Sequence, residues 1–178
     1  SGIITSWGFG REFSDRVVKD LLALPVPRSS IVNSKMIVLF AWSILLSIVV
    51  LAAALLTGFA IGLKGWDHSA FTQFLARYAA SALLNTLLIT PVAFVASAGR
   101  GYMLPISFVI LILILTQLLF VGIPWLTEWF PWALPALVSG VAGFAAPKVS
   151  FAGYLVYGIT VAAGWLGTIG WWRYADQK

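Results

Sequence analysis

The chain has 178 residues, 61% of them hydrophobic and only 10% charged, whereas an ordinary soluble domain is about 45–50% apolar and about 25% charged. A water-soluble fold could not hide that much apolar surface, so lipid is the solvent for most of it, and the length fits one helical bundle with no separate soluble domain. The lack of cysteine and the single histidine, His68, exclude disulfides, thiolate chemistry and a multi-histidine metal site, and the net charge of +5 reads as membrane topology rather than nucleic-acid binding.

In chain order, residues 3–10 are apolar but far too short to span. They read as the tail of a truncated helix, with the chain as the C-terminal part of a longer protein. Residues 11–30 are different. Phe13, Val17, Leu21 and Leu24 recur at helical spacing, and Val18 and Leu22 widen the stripe. Arg11, Glu12, Asp15, Arg16, Lys19 and Asp20 occupy the other positions. Pro25 and Pro27 end this short amphipathic helix, and Ser29 or Ser30 can cap the next. On pattern alone it is either a docking element that takes force from a soluble partner or a plain interfacial anchor.

Four uncharged apolar segments follow, at 36–63, 78–99, 104–123 and 150–172. They are too long and too continuously apolar for barrel strands, so each is expected to cross as a helix. Pro91 should kink the second and free a carbonyl. Asn85, Thr86 and Thr90 in the second and Gln117 in the third either pair between helices or line a translocation path. Gly58 and Gly62, and then Gly164, Gly167 and Gly170, are small residues suited to close helix approach. Between the last two spans, prolines at 124, 131, 135 and 147 forbid one continuous helix, yet residues 124–149 are too apolar for a solvated loop. A broken, re-entrant pair of short helices on the outer side fits, with Glu128, Trp129, Phe130 and Trp132 as a candidate outer gate.

Four spans put both ends on one side. That side carries Arg11, Arg16, Lys19, Arg28, Lys35, Arg100, Arg173 and Lys178, against Lys64, Arg77 and Lys148 on the other, so the positive-inside rule places both ends in the cytoplasm. The sequence holds no phosphate-binding G-x-x-x-x-G-K-[ST] loop, no H-E-x-x-H and no charge at the centre of a span. That argues against an enzyme and against a carrier that works through buried carboxylates. No catalytic residue, metal or cofactor is implied, and energy for any transport must come from a partner.

The run from Gly10 to Arg28, with Ile31, Val32 and Lys35, resembles permease subunits of type-2 ABC exporters, most closely the bacitracin-export and lantibiotic-immunity group. Residues 96–105, 130–137 and the ending Trp171-Trp172-Arg173-Tyr174-Ala175-Asp176-Gln177 add to the likeness. The resemblance implies a six-span permease of a bacterial cytoplasmic membrane, of which these would be the last four spans. It also implies a second permease copy and a separate ABC-type ATPase subunit. Arg11, Glu12, Asp15, Arg16, Lys19, Asp20, Leu21 and Leu24 would be the coupling helix that meets the ATPase. The expected fold is thus an all-α integral membrane bundle of four full spans with a coupling helix and a re-entrant pair. The expected function is ATP-driven export of a peptide antibiotic or other amphipathic molecule; the alternative is a non-transporting scaffold or sensor subunit.

Overall fold

The computed structural model describes residues 2–6, 27–62, 67–99, 103–141 and 149–174. The coupling segment 11–24 lies outside them. Among the described residues, four helical spans are long and apolar enough to cross a membrane. Continuous apolar runs leave the backbone no partner in lipid but itself, and the helix satisfies every interior N–H and C=O locally. The protein is therefore an all-α integral membrane bundle.

Helix α1 covers Arg28–Ala60. It stops where Gly62 takes φ +68°, a left-handed conformation that glycine adopts without steric cost. Gly62 thus ends a helix rather than packing one. The next span begins at His68 and is built from α2, His68–Leu87, and α3, Ile89–Ala98. It starts well before Tyr78, the expected beginning. Arg77 has the look of a loop charge in sequence, but it lies within α2, about a third of the way along the span, where its side chain is exposed and leaves the helix uninterrupted. Helix α4 covers Met103–Gly122. A 3-10 helix at Pro124–Trp129 and a short α5 at Leu134–Ser139 come next, each opened by a proline at its first positions. Gly140 ends α5 with φ +80°. Helix α6, Phe151–Tyr174, is the last of the described elements.

The bundle is organised around α3, whose Ile89, Thr90, Pro91, Val92, Ala93, Ala96 and Ser97 are all buried. Helix α6 packs along it, α1 closes one flank and α4 another, while α5 packs on α2. One core cluster joins Val32, Met36 and Leu39 of α1, Ile89, Ala93 and Ala96 of α3, and Trp172 of α6. A second joins Leu88, Leu134 and Tyr157, so α5 reaches the middle of the bundle. Helix α4 buries only Pro105 and Ile112 among its residues and leaves the rest to its surroundings.

Candidate functional site

The break between α2 and α3 is the first feature of the interior. Pro91 has no N–H to give to the carbonyl four residues back, so Leu87 O loses its helical donor. The Thr90 hydroxyl lies 3.1 Å from Leu87 O and 2.9 Å from Val161 O of α6, and it is fully buried. One side chain thus serves the freed carbonyl and ties α3 to α6. Close by, Gly164 brings α6 against the backbone of Thr90 and Pro91, and Gly167 lies against the Phe94 ring. Tyr157 donates to Leu84 O at 2.6 Å and fixes α6 to α2 below the break. Thr90→Val keeps the shape and removes the donor. It should lower thermal stability by about 1 kcal/mol, the size of a membrane-buried interhelical hydrogen bond, read as a lower melting temperature in detergent.

Two cavities flank the break. One, of about 440 Å³, lies between α1, α2 and α5 and is lined by Ser43, Ser47, Tyr78, Ser81, Asn85 and Thr86, with Pro135 at its wall. The other, of about 300 Å³, is lined by Asn85, Ile89, Val92, Val109, Ile112 and Trp132 among others. Asn85 borders both. Tyr78 donates to Ser47 O at 2.6 Å, tying α2 to α1, and Ser81 donates to Pro135 O at 2.8 Å, tying α2 to α5. Thr86 is turned back onto Ala82 O at 2.8 Å.

The first 117 residues match the family model described as ABC-2 family transporter protein. The chain belongs to that family. It is a transmembrane permease of an ABC transporter, a multi-pass bacterial membrane protein. Over 177 residues it is also 26% identical to the bacitracin transport permease protein BCRB of Bacillus licheniformis, a match covering 98% of this chain and 83% of that protein. No solved structure matches it.

In this permease the four polar residues singled out in the spans do not form one path. Asn85 and Thr86 border the larger cavity, whereas Thr90 faces α6 and Gln117 lies on the exposed side of α4. The candidate gate residues are likewise divided. Trp132 lines the smaller cavity, packs edge-on against Phe108 at 5.9 Å and has the Phe130 ring tilted against it at 5.6 Å. Glu128 is half-buried and its carbonyl is pressed against Gly153 of α6, while Trp129 is exposed. The proposed ATPase-coupling residues, Arg11 to Leu24, fall outside the described residues. Ser43, Ser47, Tyr78 and Ser81 were not singled out in the sequence. Their signal is there: Ser43 and Ser47 are four apart, and Tyr78, Ser81 and Asn85 are spaced three and four apart, so each set lies on one helix face.

Proposed function

We propose that this permease works with a separate ABC-type ATPase to export a peptide antibiotic or a similar amphipathic molecule across a bacterial cytoplasmic membrane. The observation that carries this reading is the match along nearly the whole chain to a permease named for bacitracin transport. Residues 11–24 are the ATPase contact. Nucleotide binding on the ATPase biases a two-state element, and the amphipathic segment passes that bias to α1. Both ends of the chain lie in the cytoplasm, supported by eight basic residues on that side against three on the other. A second copy completes the translocation path. Gln117 supports this: its amide has no partner among the described residues and faces outward from α4, where lipid offers none.

The test is co-expression of the tagged permease with an ABC-type ATPase encoded beside it, followed by reconstitution of the purified complex. Expected are stable association, bacitracin-stimulated ATP hydrolysis and ATP-dependent bacitracin efflux from inverted vesicles. Association without either response would favour a scaffold or sensor subunit. No association would remove the ATPase reading.

A further inference from the structure

The larger cavity has a hydrogen-bonding character that its residue names do not reveal. Four of its hydroxyls already donate their protons to backbone carbonyls: Ser47 to Ser43 O at 2.9 Å, Tyr78 to Ser47 O, Ser81 to Pro135 O and Thr86 to Ala82 O. A hydroxyl that donates its one proton keeps lone pairs as an acceptor. Each of these oxygens therefore meets the cavity as an acceptor. The remaining two polar groups, the Ser43 hydroxyl and the Asn85 amide, make no hydrogen bond among the described residues. No charged side chain lines the space. Such a lining favours a guest that brings N–H or O–H donors. It offers no cation to an anionic headgroup, whose charge would lie unneutralised at low dielectric.

The surroundings supply the other half of the recognition. A second, apolar groove of about 270 Å³ runs along the same two helices, lined by Ile44, Ile48, Leu51, Leu75 and Leu83, and it shares Ser47, Tyr78, Ala82 and Thr86 with the first. The acceptor-rich cavity and the apolar groove are thus bordered by the same four residues. The two lie near the midpoint of α1 and near the middle of the span His68–Ala98 that α2 and α3 build. Ser81 lies about 20 Å along the helix from His68. Back-bonding of serine and threonine within their own helices is ordinary. It does not account for Tyr78 and Ser81 reaching to neighbouring elements, nor for the two unpartnered groups beside an empty volume of pocket size.

We propose that this paired groove binds an acylated or otherwise amphipathic peptide amide, its backbone N–H groups held by the acceptors of the polar half and its apolar part by the adjoining half. The assignment of that guest as cargo rests on the transporter reading; the binding itself does not.

The test uses the full-length permease in lipid nanodiscs, with and without its ATPase. The probe is radiolabelled N-octanoyl-tetra-alanine amide, compared with its fully N-methylated counterpart, which keeps every carbonyl and loses every N–H. The N–H probe should bind about tenfold more tightly, the size of one or two net hydrogen bonds. Ser43→Ala combined with Asn85→Leu should bring its affinity down to that of the methylated probe, with nanodisc elution unchanged. If the double variant does not fold, Ser43→Ala alone should give part of the loss. Octyl phosphate should not displace the N–H probe. Equal binding of the two peptide probes, an unchanged affinity in folded variants, or a second permease copy cross-linked through Asn85 in place of probe would each overturn the proposal. Probe discrimination without ATPase association would leave the groove standing and sink the export reading instead.

Discussion

Gly164→Ala should be the most destabilising single methyl in the described part of this permease. A Cβ at Gly164 would sit 2.7 Å from Pro91 Cα and 2.7 Å from the Thr90 carbonyl carbon. Real Cβ atoms do not come so near. Both opposing groups are backbone, so neither can rotate away. The helices must separate instead. Separation would stretch the hydrogen bond from Thr90 to Val161 O, one turn along α6, and loosen Gly167 from the Phe94 ring, which a Cβ would approach to 3.0 Å. Overpacking costs about 1–3 kcal/mol, and the lost interhelical bond adds about 1 kcal/mol. Gly158 and Gly170 are controls on the same helix, because a Cβ at either meets open space. Alanine is the better helix former by about 1 kcal/mol. Gly158→Ala and Gly170→Ala should therefore leave the melting temperature in detergent unchanged or slightly raised, while Gly164→Ala lowers it by several degrees and broadens size-exclusion profiles. A Gly164→Ala melt that overlays the Gly158→Ala melt would mean that α3 and α6 do not touch there.

That contrast also shows where sequence reading stops. Gly164, Gly167 and Gly170 look alike as a stripe of small residues, yet only the first two face α3 closely. Register between two helices decides this, and register depends on side chains of both partners together. The spans themselves were legible because apolar runs in lipid have one viable backbone form. The freed carbonyl at Pro91 was legible because it follows from proline's missing N–H. Its partner was not, since nothing in the sequence says that Thr90 faces Val161 rather than a path. The polar cavity was hidden for a related reason. Single serines inside apolar runs have little weight in a hydropathy reading, and Ser43, Ser47, Tyr78 and Ser81 form a site only when α1, α2 and α5 are placed side by side. The early start of α2 was missed because Arg77 and His68 have loop-like character.

Reversing the charges at Asp15, Arg16 and Asp20 together should abolish ATP-dependent export while leaving the membrane bundle folded. The segment carrying them is read from its pattern, an apolar stripe at Phe13, Val17, Leu21 and Leu24 against a charged remainder. Like charges brought together at an interface cost several kcal/mol and suppress association, so a loss of ATPase co-purification of about tenfold or more is expected. The described structure gives the reason that a push at this segment would travel. The segment precedes α1 in the chain, and the base of α1 is clamped. Val32 and Met36 are fully buried against α3 and Trp172. Trp165 donates to Asn33 Oδ1 at 3.2 Å, Trp172 donates to Ser97 Oγ at 3.0 Å, and the Lys35 ammonium stands 4.5 Å from the centre of the Trp172 ring. Helices α1, α3 and α6 are therefore joined at one end, and α3 leads from there through the Leu88–Pro91 break to the polar cavity. Displacement at the α1 base has a continuous packed route to that break, where the helix is least constrained by its own hydrogen bonds. A second set of variants separates contact from transmission. Asn33→Leu and Ser97→Ala leave residues 11–24 intact, so the ATPase should still co-purify. Export per ATP hydrolysed should fall by about fivefold, the effect of about 1 kcal/mol lost at a coupling element. If charge reversal leaves both association and export intact, the segment is only an anchor. If the clamp variants keep full coupling, force reaches the cavity by another route.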